Sequence, residues 1–175
     1  MRYRRSDIAG GTYFFTVNLC DRRQHLLVEQ ADRLRSSIAR VKARHPFTID
    51  AMLVLPDHLH AIWTLPQNDC DYAMRWMLIK AAFSRGVDKN ESISVSRQIK
   101  RERGIWQRRY WEHLIRDEND YARHVDYIHF NPVKHGYVKR ALDWPFSSIH
   151  TFIGHGVLNR DWGGEPDNDG IYGER

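Results

Sequence analysis

The spacing of apolar residues changes along the chain between the period of a strand and that of a helix. Residues 12–19, TYFFTVNL, are β-branched and aromatic, which predicts a strand. Residues 47–55 and 58–64 have the same character, and Pro56 and Asp57 between them are turn formers. The pattern therefore predicts a second strand and a third strand that pairs with it as a hairpin.

Helical spacing separates these strands from one another. Residues 29–44 carry apolar side chains three and four positions apart among arginines, which predicts an amphipathic helix. Further helices are predicted over 71–85 and 119–131, and a fourth strand over 105–116. Residues 86–104 have many charges and few large apolar side chains, so we expect an exposed, partly helical connection there.

This order of elements indicates an α+β fold. Strand-helix-strand-strand-helix-strand-helix is typical of a ferredoxin-like sandwich, in which helices cover one face of an antiparallel sheet. A chain of 175 residues suits a single domain, which we expect to span residues 1–153. Residues 154–175 are rich in Gly, Asn and Asp, which predicts a loose C-terminal tail.

Composition narrows the classes of function. Hydrophobic residues make up 42% of the chain and charged residues 28%, which is typical of a soluble globular protein. No apolar run approaches the roughly 18 residues of a membrane span, so no membrane partner is expected. The 2 cysteines, Cys20 and Cys70, predict no disulfide framework and favour a cytoplasmic location. A net charge of +5 suits a polyanionic partner without requiring one.

A pair of histidines occupies the third predicted strand. Side chains two positions apart in a strand share a face, so His58 and His60 lie together while Leu59 packs behind them. Two imidazoles in this arrangement can share one divalent ion. Taken alone the pair favours a structural role, and a third ligand with a reactive group nearby would reverse that interpretation.

The last predicted helix offers both a third ligand and a reactive group. At about 100° per residue, one of its stripes contains Asp120, His124, Tyr127 and Asn131. Tyr127 and Asn131 are four residues apart and so lie one above the other. Tyr127 could instead be an aromatic at the edge of the core, and Asn131 could end the helix because Pro132 follows it. Their shared stripe favours a nucleophile and a metal ligand.

Longer strings of residues carry a resemblance to a known family. The run HLH on a strand, followed by YIHFN on a later helix, resembles the single-tyrosine HUH transposases of small insertion sequences. The strings WQRRYWEHLIRD, DYIHFNPVKHGYV and DWPFSSIH resemble, more specifically, the REP-associated tyrosine transposases, which are linked to repetitive extragenic palindromes (REPs). The resemblance extends from about Tyr3 to Trp162.

The resemblance implies a metal-dependent endonuclease and strand transferase of HUH type, which acts on single-stranded REP hairpins through a 5′-phosphotyrosine. It makes Tyr127 the nucleophile, and His58, His60 and Asn131 the metal ligands. Insertion-sequence relatives have a glutamine at the position of Asn131. Three neutral ligands suit Mg²⁺ or Mn²⁺ better than Zn²⁺. The resemblance also implies a monomer.

Basic and aromatic residues are the candidates for DNA contacts, because phosphates bind arginine and unpaired bases stack on aromatic rings. These candidates are Arg2, Arg4, Arg5, Arg101, Arg103, Trp106, Arg108 and Arg109. The alternative is a solvated run of charges before a strand whose tryptophans fill the core. Three further residues could orient the metal ligands, although surface roles fit them equally: Asp57, Glu112 and His124.

Two other functions remain open at this point. A metallohydrolase would use the histidine pair to activate water and would not need Tyr127. A catalytically idle regulator would bind hairpin DNA without cleaving it, although the complete set of His58, His60, Tyr127 and Asn131 argues against that function.

Overall fold

The computed structural model of the protein describes residues 7–89, 93–100, 102–163 and 172–173. Its strands are β1 (Thr12–Asn18), β2 (Thr48–Val54), β3 (His58–Thr64) and β4 (Trp111–Leu114). They form a 4-stranded antiparallel sheet in the order β2-β3-β1-β4. With the helices that join the strands, this order confirms the predicted α+β ferredoxin-like fold.

Helices connect the strands and follow the last of them. They are α1 (Leu26–Glu29), α2 (Ala31–Arg44), α3 (Tyr72–Arg85), α4 (Val95–Ile99), α5 (Glu118–Lys134) and α6 (Ile149–Gly154), with a 3₁₀ turn at Ala141–Asp143. The three long helices predicted from the sequence correspond to α2, α3 and α5. Within the described residues, no helix combines the length and the apolar character needed to cross a membrane.

One hydrophobic core lies between the sheet and the helices α2 and α3. Tyr13 and Phe15 of β1 point into it and are fully buried. Trp63 of β3 stacks on Trp76 of α3, with ring centroids 4.1 Å apart. Because side chains alternate along a strand, the even-numbered residues of β1 and β3 face the other side of the sheet.

Helix α5 covers that other side. Phe14 of β1 and Ile62 of β3 are fully buried there, in one cluster with Val125 and Ile128 of α5. The prediction that the helices lie on one face is therefore wrong for α5. An amphipathic pattern shows that a helix has a buried face, but it does not show which side of the sheet that face covers. The position of α5 places its side chains directly above the histidines of β3.

Only the second half of the fourth predicted strand is part of the sheet. Trp106 makes an isolated bridge with Leu19, and the chain then leaves the sheet until β4 begins at Trp111. The run 105–116 is aromatic and charged throughout. Its pattern therefore contains no signal that separates the loop from the strand.

Helix α5 continues through Pro132 to Lys134, past the end predicted at residue 131. Proline inside a helix removes one N–H donor and disfavours the helical conformation of the preceding residue. Pro132 lies in the last turn, so that penalty is confined to the helix end. The His135 N–H donates to the Asn131 carbonyl at 3.0 Å and continues the helical hydrogen bonding beyond the proline. This extra turn brings the side chains of Lys134 and His135 over the sheet.

Candidate active site

The paired strands β1 and β3 place both histidines beneath α5. Asn18 lies opposite His58 and Thr16 opposite His60 in the antiparallel register. Both imidazoles are buried, their ring centroids are 5.0 Å apart, and Leu59 between them packs in the opposite core. The histidines therefore share one face, as the alternation of a strand predicts.

Two residues of α5, together with His135 at its C-terminal cap, follow one stripe over this histidine pair. The ring of Tyr127 lies 5.3 Å from that of His60, and the ring of His135 lies 5.3 Å from that of His58. Asn131 lies one turn after Tyr127 and one turn before His135, and it is fully buried. The helix thus carries Asn131 over the histidine pair, between the two ring contacts.

Asp57 orients the first histidine. Its carboxylate oxygen lies 2.7 Å from His58 Nδ1, and Arg22 pairs with the same carboxylate. Burial disfavours the ionised carboxylate, but the hydrogen bonds from His58 and Arg22 outweigh it and lower the pKa of Asp57 to about 2. The carboxylate holds the proton on Nδ1, so Nε2 is the nitrogen of His58 suited to bind a metal.

Thr16 orients the second histidine. Its hydroxyl donates to the Tyr172 carbonyl at 2.5 Å and lies 2.9 Å from His60 Nδ1. A hydroxyl has one proton, and a carbonyl can only accept. Thr16 must therefore accept from the Nδ1–H of His60, which leaves the Nε2 lone pair as the ligand position. The sequence did not single out Thr16, because its position opposite His60 depends on the register between β1 and β3, which no local pattern gives.

These residues fit a divalent ion. They offer two imidazole nitrogens with fixed tautomers and the side-chain amide of Asn131, all without charge. Carboxamide oxygen and imidazole are ligands that Mn²⁺ accepts. Because these three ligands are neutral, a phosphate oxygen could supply the negative charge that offsets the charge of the ion. The donor set therefore suits an ion that binds together with DNA.

Two residues that the sequence did not single out contact Tyr127. The ammonium of Lys134 lies 3.3 Å from the Tyr127 hydroxyl and 4.8 Å from the ring centroid. The ring of Tyr172 stacks on that of Tyr127, with centroids 3.6 Å apart and planes at 14°. Lys134 is seven residues after Tyr127 and so shares its stripe, which is a signal the sequence contains. Tyr172 has no comparable local signal.

The predicted orienting role of Glu112 is wrong. In the β1–β4 pairing Glu112 lies opposite Phe15, whose side chain points into the core under α2 and α3. The hydroxyl of Tyr72 donates to the Glu112 carboxylate from that side at 3.4 Å. The sheet therefore separates Glu112 from the histidine pair.

His124 belongs to a separate cluster with His113 and Asp120. His113 Nε2 lies 2.8 Å from an Asp120 carboxylate oxygen, and His124 Nδ1 donates to the Asp120 carbonyl at 2.7 Å. Burial, together with the nearby His113, lowers the pKa of His124. These three residues have ligand atoms close enough for a metal. However, Arg116 and Arg123 each lie 3.6 Å from the Asp120 carboxylate, so the carboxylate already has cationic partners.

The structure divides the predicted DNA-binding residues. Arg2, Arg4, Arg5 and Arg101 lie outside the described residues. Arg103 donates to the carbonyls of Ser84, Val87 and Asp88 around the end of α3, which is a structural role. Trp106 is 7% exposed and its ring packs on Phe83, so little of the ring is accessible for stacking on a base. Arg108 pairs with Glu102 at 2.8 Å, and Arg109 is exposed.

A groove of about 770 Å³ lies between α3 and the segment 102–110. Its lining includes Tyr110, with the Lys80 ammonium 5.0 Å from the centroid of the tyrosine ring. Burial lowers the pKa of Lys80 to about 8. Tyr110 is only partly buried, so it is better placed than Trp106 to contact a base.

The fold is that of the HUH-type transposases. The family model of IS200-like transposases matches residues 10–131. A REP-associated tyrosine transposase of Escherichia coli (strain K12) is 47% identical over 173 residues, which cover 99% of this chain and 96% of that protein. The solved structure of a REP-associated tyrosine transposase bound to a REP hairpin matches with a TM-score of 0.86 and 47% identity, covering 100% of this chain and 98% of that one. The chain therefore belongs to the REP-associated tyrosine transposases of the IS200-like family.

Proposed function

We propose that this transposase is a metal-dependent single-strand DNA endonuclease and strand transferase that acts on REP-type hairpins through a 5′-phosphotyrosine. The observation that carries the proposal is the contact between Tyr127 and His60, 5.3 Å between ring centroids. In this contact the ring of Tyr127 lies beside a pair of histidines whose Nδ1 atoms are already engaged. A relative of 47% identity whose structure holds a REP hairpin supports the choice of substrate.

In this proposal His58, His60 and Asn131 hold the metal, with Mg²⁺ or Mn²⁺ the best suited ions. A divalent ion bound there would neutralise charge on the scissile phosphate and orient its phosphorus for in-line attack. The Tyr127 oxygen forms a bond to phosphorus as the bond to the 3′-oxygen breaks. The products are a 5′-phosphotyrosine and a 3′-hydroxyl. Because no water is consumed, the strand can be joined again.

Exposed and partly exposed groups near the groove are the proposed DNA contacts. Arg108 and Arg109 would bind phosphates, and Tyr110 would stack on an unpaired base. The N-terminal arginines at positions 2, 4 and 5 and Arg101 remain candidates by their charge. Because Tyr127 contacts His60 within one chain, we also propose that a monomer carries a complete site.

The test is a Tyr127→Phe variant incubated with a hairpin of single-stranded DNA and Mn²⁺. The substitution removes only the hydroxyl, so we expect the fold and hairpin affinity to persist and the covalent protein–DNA adduct to disappear. Tyr121→Phe is the matched control, because Tyr121 lies on the same helix away from the histidines. An adduct that survives Tyr127→Phe would contradict the proposal.

The same assay separates the two alternative functions. A metallohydrolase would cleave the hairpin in the Tyr127→Phe variant without forming an adduct. An idle regulator would bind the hairpin and leave it intact in every variant. His58→Ala or His60→Ala should abolish cleavage while hairpin binding persists, and full cleavage in excess chelator would contradict a metal site at these residues.

A further inference from the structure

Lys134 lies at the end of α5, two helical turns beyond Tyr127. Its ammonium donates to the Tyr127 hydroxyl at 3.3 Å and lies 4.8 Å from the ring centroid. Helix α5 reaches this residue only because it continues through Pro132. The ammonium therefore contacts the atom that would attack phosphorus in the proposed reaction.

That reaction requires negative charge to develop on the tyrosine oxygen. A phenol has a usual pKa near 10, so it is a weak nucleophile at neutral pH. As the oxygen–phosphorus bond forms, the phenol proton is released to solvent, and the departing 3′-oxygen takes up a proton. The step is balanced without any further reactant. A positive charge held at the phenol oxygen favours the path, because preorganised charge stabilises charge that develops in a transition state.

We propose that Lys134 is a further catalytic residue, which stabilises the negative charge on the Tyr127 oxygen during both cleavage and rejoining. The proposal rests on the function proposed above. In rejoining, the 3′-hydroxyl attacks the phosphotyrosine and the Tyr127 oxygen is the leaving group. The same oxygen then becomes negative in the same place. By microscopic reversibility one ammonium serves both directions.

Lys134 supplies a positive charge that the side chains of the proposed metal ligands do not. The histidines and Asn131 add no negative charge, and a phosphate entering the site brings its own. Lys134 belongs to the same helix as Tyr127, so its charge already lies beside the phenol oxygen before DNA binds.

The experiment compares Lys134→Met with Lys42→Met under single-turnover conditions. Lys42 is an exposed lysine on α2, which packs on the opposite face of the sheet, so its variant changes net charge equally. We expect Lys134→Met to slow adduct formation by about tenfold to a hundredfold, which is less than the roughly hundredfold to thousandfold loss seen for a buried charge-stabilising donor, because Lys134 is exposed. Lys134→Arg should recover most of the rate, and hairpin affinity should change little.

Rejoining provides the second readout. When purified adduct is mixed with a strand that ends in a 3′-hydroxyl, Lys134→Met should slow rejoining by the same factor as cleavage. The ratio of adduct to intact DNA at equilibrium should then remain unchanged. Cleavage and rejoining share one transition state, so equal factors show that the variant acts on that state and not on the relative stability of the adduct and the intact strand. Unequal factors, or an unchanged rate of adduct formation, would overturn the role of Lys134.

A more acidic phenol gives a third readout. The more acidic phenol of 3,5-difluorotyrosine at position 127 needs less stabilisation of its oxygen by a neighbouring positive charge. The factor by which Lys134→Met slows adduct formation should therefore be smaller in this background. An equal penalty in both backgrounds would overturn the inference. Tyr127→Phe tests the nucleophile separately, so failure of the Lys134 inference leaves the proposed function standing. Failure of the proposed function would be seen as an adduct that persists in Tyr127→Phe.

Discussion

Thr16 has only one way to satisfy both of its neighbours. Its single proton goes to the Tyr172 carbonyl, so its oxygen accepts the proton of His60 Nδ1. Asp57 has the same effect on His58. The Thr16 hydroxyl lies 2.9 Å from His60 Nδ1, and the Asp57 carboxylate lies 2.7 Å from His58 Nδ1. Two different side chains, a hydroxyl and a carboxylate, thereby direct both Nε2 atoms toward one proposed metal.

Replacing Thr16 by valine tests that role. The Thr16→Val variant keeps the side-chain shape but removes the acceptor for His60 Nδ1–H, so we expect metal affinity to fall by about tenfold to a hundredfold. The measurement is the Mn²⁺ concentration that gives half-maximal adduct formation. Thr16→Ser, which keeps the hydroxyl, should stay close to the unchanged protein. Equal Mn²⁺ requirements in the valine and serine variants would contradict the assignment.

At the scale of secondary structure, the sequence predicted the elements whose pattern is unambiguous. The alternation around His58, Leu59 and His60 gave the correct face, and the helical stripe placed Tyr127 correctly over it. Glu112 failed because its face depends on the register of β4, which starts only at Trp111. The side of the sheet covered by α5 also failed, since it depends on tertiary packing rather than on a local period.

The roles of the arginines were also not predictable from local sequence. Positive charge alone does not distinguish an arginine that binds a phosphate from one that binds the carbonyls at the end of a helix. Arg103 donates to carbonyls at the end of α3, at 2.6 Å to Val87 and 2.8 Å to Asp88. Such carbonyls have no partner within the helix and need a donor from elsewhere. Arg109 is exposed instead. The two residues are six apart in sequence and look alike there.

Alanine variants of the two arginines should therefore behave in opposite ways. Arg103→Ala should lower the free energy of unfolding by about 1–3 kcal/mol, since it leaves several carbonyls with poorer partners. Arg109→Ala should leave the melting temperature unchanged but reduce hairpin affinity and the slope of its salt dependence. Thermal unfolding and a salt titration of hairpin binding measure both effects. The assignments would be reversed if Arg109→Ala unfolded at lower temperature while Arg103→Ala lost only DNA affinity.

At the scale of the whole molecule, one chain brings together every residue of the proposed site. Tyr127 contacts His60 and Lys134 within the same chain, so no exchange of α5 between subunits is needed. The helix also runs directly into its next turn at Pro132 without a glycine-rich hinge. We expect a monomer at micromolar concentration by light scattering, both alone and with one hairpin. A stable dimer whose activity depends on protein concentration would contradict this expectation.

Tyr172 and Gly173 lie at the site, which no local pattern predicts. The sequence predicted a loose tail after residue 153, yet Tyr172 is 8% exposed and packs in the cluster of α5. Gly173 fits closely there, because a Cβ at this position would lie 2.3 Å from the Cβ of Trp111 and its φ is +76°. A positive φ of this kind favours glycine. Tyr172 and Gly173 therefore form a specific contact with the sheet and helix.

This contact covers the ring of Tyr127, so DNA and Tyr172 should compete for the space around it. An aromatic stack contributes about 0.5–1.5 kcal/mol, and its loss would raise the fraction of molecules with an accessible Tyr127. We therefore expect Tyr172→Ala to increase the rate of adduct formation about twofold to tenfold under single-turnover conditions. Tyr172→Phe is the matched control, because it keeps the stacked ring and should leave the rate unchanged. Tyr172→Ala should leave the Mn²⁺ requirement unchanged, whereas Thr16→Val should raise it because Thr16 acts through His60. If Tyr172→Ala forms adduct no faster than Tyr172→Phe at any hairpin concentration, the tail does not compete with DNA for Tyr127.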